Sequence, residues 1–220
     1  MDARDRFRDM LRTVVGPALR AEGFSGSGST WHRRNSWGDW GVVGMQKSAY
    51  GSANDVVAYV NLSVDLEPER QSRSWLEERP VPRLPSGSSG IWHARLAPPE
   101  APGRTRLDRW DFGDGSDAES FAAELVDTLR VEALPALDRL LDREELFRNT
   151  YRAGGPEIFG GALLGYEPEA LAVLLLSDRG PSQELIRALT TLDELDLSHE
   201  DETYAARQRG VANWVRERSA

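Results

Sequence analysis

The residues best suited to chemistry in this sequence come in pairs two apart. His32 and Arg34 form one pair, His93 and Arg95 another, and in a strand that spacing puts both members on one face. Aligned strands would make a small cationic cluster able to receive a carboxylate or a phosphate. Two facing imidazoles would also supply the acid and base of a hydrolase or nuclease. The plainer expectation is that lone strand histidines are surface residues. A second group is Gln46, Lys47, Ser48 and Asn61, with Tyr59 beside them. Amides on paired strands can hold a loop or read a ligand's peptide groups, or simply satisfy backbone at the sheet ends. Trp37, in the turn Ser36-Trp37-Gly38-Asp39, is the third candidate. An exposed turn aromatic buries a large area on a partner at small entropic cost.

Several other chemistries are excluded. The sequence has no Cys, which removes disulfides, thiolate-ligated zinc, iron–sulfur clusters and thiol nucleophiles. Asp111, Asp114 and Asp117 miss the spacing of a calcium loop, and Asp117 reads better as a helix start. Asp111-Phe112-Gly113 lacks the lysine and catalytic loop that would make it a kinase magnesium motif. Gly26-Ser27-Gly28-Ser29 lacks the ending of a phosphate loop, and no serine sits in a nucleophile elbow. No metal and no cofactor is expected.

Charge narrows the partner class. The 220 residues carry a formal net charge of −9, unevenly spread. Residues 1–110 hold 16 basic and 13 acidic side chains, residues 111–220 hold 11 and 23. An acidic protein is poorly suited to neutralising phosphates, so no nucleic acid is expected. The acidic half would suit a basic partner or serve as a solubilising surface. The longest apolar run, Ala170 to Leu176, is far short of the ~20 residues that span a bilayer. The first residues alternate in charge where a secretion signal would be apolar. These features predict a cytoplasmic protein that does not bind membranes.

Elements must now position the candidates. Helical spacing of Phe7, Leu11, Val14 and Ala18, with Met10, Val15 and Leu19, predicts a helix over 3–22. Gly23 should end it and Gly16-Pro17 should kink it. Strands are predicted over 30–35, 40–48, 56–66, 91–96 and 106–112. In the third, Val56, Ala58, Val60, Leu62 and Val64 point one way and Val57, Tyr59, Asn61, Ser63 and Asp65 the other. That alternation means one covered and one mixed face. A short helix or turn over 67–78 and a proline-rich loop over 79–90 separate the third and fourth strands. Ser116 with Glu119 signals the next helix start, and Pro135 should break or bend that helix. Gly154-Gly155-Pro156 reads as a boundary, followed by helices over 168–177, 181–192 and 200–218, the last capped by Ser198 and Asp201. Trp31, Trp40, Trp92 and Trp110 are expected in the core, and Trp214 at the docking face of the last helix.

With this order in place, residues 3–145 resemble a bacterial family described only as domain of unknown function 4304. The resemblance rests on Leu19-Arg20-Ala21-Glu22-Gly23-Phe24 ending the first helix before the strand with Trp31, on Met45-Gln46-Lys47-Ser48, and on Val60-Asn61-Leu62. Trp110 and Ala133-Leu134-Pro135 fit more loosely. The resemblance implies a fold and a domain limit, and no activity. The expected fold is α+β: an N-terminal helix, a five-stranded and mainly antiparallel sheet, helices packed on one face, and a C-terminal helical extension. The expected division is an α+β domain over 1–150 and a helical extension over 151–220. The expected function is a non-catalytic, immunity- or antitoxin-like protein-interaction module with a protein partner. Its binding residues would be Arg34, Trp37, Gln46, Tyr59, Asn61 and Arg95. The alternative is a hydrolase or nuclease using His32 and His93.

Overall fold

The protein is described by a computed structural model covering residues 2–49, 51, 52, 54–85, 90–100, 108–152, 157, 158, 161–163, 165–195, 197 and 200–219. Its first helical run consists of α1 (Ala3–Met10), a wide π segment (Leu11–Val15) and α2 (Gly16–Ala21). Asp2 caps the start by accepting the Asp5 N–H at 2.8 Å, and Gly23 closes the end at φ +82°. A proline ring inside a helix crowds the carbonyl four residues earlier. Here the turn before Pro17 is widened, and the Gly16 N–H reaches Leu11 O, five residues back. The same device precedes Pro135. There α4 (Ala118–Thr128) runs through a π segment (Leu129–Ala133) into α5 (Leu134–Leu141), and the Leu134 N–H donates to Leu129 O. Each proline is the second residue of the helix that follows, so the run continues past it. The extra residue also shifts the helical phase. Val14, placed in the buried stripe by its spacing, is 41% exposed.

All five predicted strands form, and three short ones extend the sheet. They are β1 (Ser25–Ser27), β2 (Thr30–Arg34), β3 (Trp40–Lys47), β4 (Asp55–Asp65), β5 (Trp92–Leu96), β6 (Trp110–Gly113), β7 (Glu157–Ile158) and β8 (Gly161–Leu163). The order is β1-β2-β3-β4-β5-β8-β7, with every pairing antiparallel and β6 also on β4. One edge of β4 pairs with β3. Its other edge carries β5 against 60–64 and β6 against 55–58, end to end. Arg106 and Leu107, expected to open the last of the five strands, lie outside the described residues, as does the Gly154-Gly155-Pro156 boundary.

Cross-strand registry sorts the side chains into two faces. Trp31, Val43, Leu62 and Ala94 form one row of the first face, under α1 and α5. Gly41 lets α5 come close, since a Cβ there would stand 3.2 Å from Leu141. Phe7, Trp110, Phe112 and Phe121 pack edge-on or tilted with centroids 5.1–6.4 Å apart. Burying each such ring contributes roughly 1.5–3 kcal/mol. The second face bears His32, Val42, Ser63 and His93 in one row and Gly44, Asn61 and Arg95 in the next. Among the described residues it is roofed only at one end, by α3 (Glu67–Leu76) and the chain at 79–85.

Beyond the sheet come α6 (Arg143–Phe147), a π segment (Arg148–Arg152), α7 (Pro168–Ser177), α8 (Gln183–Glu194) and α9 (Glu202–Ser219). The run Ala170 to Leu176 is buried on all sides as α7, packed against α3, α6, α8 and α9. That is what an apolar stretch too short for a bilayer does in a core. Among the described residues no helix is long and apolar enough to cross a membrane. Trp214 is buried, as are Trp31, Trp92 and Trp110, while Trp40 is partly exposed. One helix start differs in detail from expectation, and the last helix keeps its expected aspartate cap. Asp117, rather than Ser116, caps α4 through the Glu119 and Ser120 N–H groups, because the Ser116 hydroxyl accepts the Gly113 N–H instead. Asp201 accepts from the Thr203 and Tyr204 N–H groups, whereas Ser198 lies outside the described residues.

Candidate functional site

The turn between β2 and β3 is built around Asn35. Its Oδ1 accepts the Trp37 and Asp39 N–H groups, both at 2.9 Å. Its Nδ2 donates to Asp39 Oδ2 at 3.1 Å and to Leu141 O at 3.0 Å. Gly38 takes φ +92°, a conformation strained for any side chain. Every bonding site of the Asn35 amide is therefore used, and the turn has one shape.

Asp39 is fully buried beneath this turn. Arg143 Nε and Nη2 donate to its two oxygens at 2.8 and 2.7 Å. The Glu67 N–H at the start of α3 donates at 2.9 Å. Arg143 also reaches Asp178 Oδ2 at 3.0 Å, tying β2–β3, α3, α6 and the end of α7 together. Burial alone would lower the Arg143 pKa, but the hydrogen bonds and charges of Asp39 and Asp178 outweigh it and hold it above the ordinary value. The charge on Arg143 is thus permanent. Its guanidinium lies 4.9 Å from the Trp37 ring centroid, supporting from below an indole that is 51% exposed.

Beside Trp37 opens a cleft of about 610 Å³ lined by Arg33, Arg34, Arg143 and Arg179 with Asp138 and Glu144 among its acids. Four guanidinium groups would suit a phosphate if they were bare. They are not. Arg33 pairs with Asp138, Arg34 with Glu67, Arg143 with Asp39 and Asp178, and Arg179 with Glu144. Arg34 is held further by Gly38 O at 3.3 Å and by the Trp40 ring at 5.3 Å. Each cleft guanidinium thus has a carboxylate partner, and the apolar anchor of the cleft is Trp37.

The other candidates separate. Asn61 Nδ2 donates to Gln46 Oε1 at 3.1 Å, and Arg95 lies over Tyr59 at 4.4 Å while bonding Asp108 at 2.6 Å. These four residues therefore share the open end of the second sheet face, linked by one amide pair and one ring contact, with Asp108 taking the Arg95 guanidinium. His32 and His93 stand in the same row, but β3 and β4 lie between them, three strand spacings or roughly 14 Å. His32 is buried, and its Nε2–H donates to Pro85 O at 3.1 Å. The imidazoles do not converge, because the aligned strands are not neighbours. Among the described residues no group of three or more His, Asp or Glu side chains could hold a metal ion.

A second polar seam joins α3 to the C-terminal helices. Asp65 is buried against Arg70 at 3.2 Å. Glu69, 1% exposed, accepts from the Tyr166 hydroxyl at 2.8 Å and pairs with Arg73 at 3.2 Å. Burial raises the Glu69 pKa, with Arg73, Tyr166, Arg207 and Arg70 pulling it back only in part. Desolvation and the neighbouring Glu69 charge likewise raise the Tyr166 pKa. Buried Gln208 accepts the Glu167 N–H at 3.0 Å and donates to Gly165 O at 2.9 Å. Asp39, Glu69, Arg143 and Gln208 carry no local signal of burial. The Asn35–Asp39 turn is readable as turn chemistry, but Arg143 lies 104 residues beyond Asp39.

This fold and this turn belong to a recognisable family of sequences. No curated protein and no solved structure matches the chain. A family model described as Domain of unknown function (DUF4304) matches residues 15–139, which include the Trp37 turn, β2 to β6 and α3 to most of α5. More than half of the chain is covered, and the chain belongs to the DUF4304 family.

Proposed function

We propose that the protein is a non-catalytic, immunity- or antitoxin-like interaction module that grips a protein partner through the Trp37 turn and its cleft. The observation that carries this reading is a half-exposed indole on a turn with no conformational slack, backed by a buried arginine. Aromatic and arginine side chains in such settings dominate binding energies, and a pre-ordered anchor loses little entropy on docking. The pairing of every cleft guanidinium with a carboxylate favours a protein surface over a phosphate or nucleic acid. The wide separation of His32 and His93 counts against the hydrolase or nuclease alternative.

The test starts with affinity capture from the native cell, using wild type and Trp37→Ala side by side. A partner retained by wild type is then titrated against both proteins. Its affinity should fall by about 30-fold or more, the effect of a buried tryptophan anchor of at least ~2 kcal/mol. Melting temperatures should stay close, because the indole is half in water. Equal affinity for both proteins would dismiss the reading.

A further inference from the structure

Asp178 stands where a carboxylate is poorly placed. It is the C-terminal cap of α7, and the free carbonyls at a helix end repel a negative charge. No local rule puts an acid there, so the rest of the fold must hold it. Two arginines do so, one on each oxygen. Arg143 Nη1 donates to Oδ2 at 3.0 Å, and Arg218 Nη2 lies 3.5 Å from Oδ1.

The two arginines lead in opposite directions. Arg143 continues to Asp39 through Nε and Nη2 and lies against the Trp37 indole. All three of its nitrogens are thereby engaged. Asp39 grips the guanidinium along one edge and Asp178 takes the remaining nitrogen, so its plane cannot pivot. Arg218, in the last turn of α9, lies over Trp214 at 4.5 Å and donates to Gln71 Oε1 of α3 at 3.3 Å. Trp214 is buried, so this end rests on the core of the C-terminal helices. A continuous chain of contacts therefore runs from the end of α9, through Asp178 and Arg143, to the exposed indole. The family model ends at residue 139. The Trp37 turn lies inside the matched segment, and Arg143, Asp178 and Arg218 all lie beyond it.

We propose that the C-terminal helices set how Trp37 is presented, with Arg143 as the positioning residue and the Asp178–Arg218 contact holding it from behind. An indole resting on a fixed guanidinium has fewer orientations to lose on docking. The functional meaning of this arrangement rests on Trp37 being a partner anchor, whereas the positioning itself is measurable without a partner.

The full chain is labelled with 5-fluorotryptophan, and Trp37→Phe identifies the Trp37 line in its fluorine spectrum. Asp178→Ala and Arg143→Lys should each shift or broaden that line, while the lines of buried Trp31, Trp92 and Trp110 stay in place. Arg218→Ala should move it in the same sense by less. Gln208→Ala cuts the bonds to Gly165 and Glu167 at the opposite end of α7. It should lower the melting temperature and leave the Trp37 line unmoved. A Trp37 line unchanged in folded Asp178→Ala protein would overturn the proposal, whatever becomes of Arg143→Lys. So would a line that follows Gln208→Ala equally, since the effect would then be general loosening. Against a partner captured through Trp37, Asp178→Ala should weaken binding by about fivefold, the lower end of coupling between sites. Equal affinity there would overturn the role of presentation in docking. Trp37→Ala tests the anchor and the fluorine line tests its support, so either can fail while the other stands.

Discussion

The two ends of the second sheet face are made of similar residues and live in different solvents. At the open end, Gln46, Tyr59, Asn61 and Arg95 sit in or near water, with Asn61 bonded to Gln46 and Arg95 over the Tyr59 ring across strands. At the covered end, Ser63 and Asp65, the next two outward-pointing residues of the same strand, are fully buried under α3. Alternation along β4 therefore continues without a break while the dielectric changes along it. A polar side chain on the mixed face means little until the roof above it is known. Under the roof, ionic groups must be paired, and Arg70 and Arg73 of α3 meet Asp65 there. In the open, the same kinds of pair are weakly held and free to exchange with a partner.

The largest expected contrast comes from removing one side of a buried pair. Asp65→Ala should destabilise the fold by about 3–5 kcal/mol, because Arg70 is left buried beside it with less compensation. Denaturant midpoints measure this, and a loss below ~1 kcal/mol would show that the covered end is wetter than its geometry implies.

A smaller effect is tied to pH. The folded-state pKa of Glu69 is raised, chiefly by burial, so the folded protein holds this proton where the unfolded chain has released it. Its contribution is therefore fully present below the unfolded carboxylate pKa and is lost as pH rises through the higher folded value. Thermal midpoints across that window should decline more steeply for wild type than for Glu69→Gln. Parallel curves would mean that Arg73 and Tyr166 fully compensate the buried charge.

The smallest effect belongs to the open end. Asn61→Ala should cost under about 1 kcal/mol, since both amides of the Gln46 pair can turn to water. A larger loss would place the amide pair in the core and erase the distinction between the two ends.

Much of the architecture was legible because it depends on local rules. Val56 to Val64 announce a half-covered strand by period, Asp117 and Gly23 announce helix ends by their caps, and the run at 170–176 announces a buried element by composition. The prolines were legible as disturbances, but their resolution by π segments was not, since a widened turn depends on packing that retains the helix. Half of the candidate site was equally plain: Ser36 to Asp39 reads as a turn, although Asn35, which organises it, reads as the end of the preceding strand. Whether Trp37 points in or out could not be read, because that depends on Arg143 arriving beneath it.

Sequence alone determined the order of the main helices and the five longer strands, the two faces of the sheet and the absence of thiol chemistry, since each follows from residue type and spacing within one segment. Tertiary structure decided which strands became neighbours, and with that kept His32 and His93 three strand spacings apart. It also decided where the second face is roofed, which carboxylates are dry and which indole is free. Those outcomes depend on through-space encounters between residues tens to a hundred positions apart, and burial, pairing and pKa are properties of such encounters.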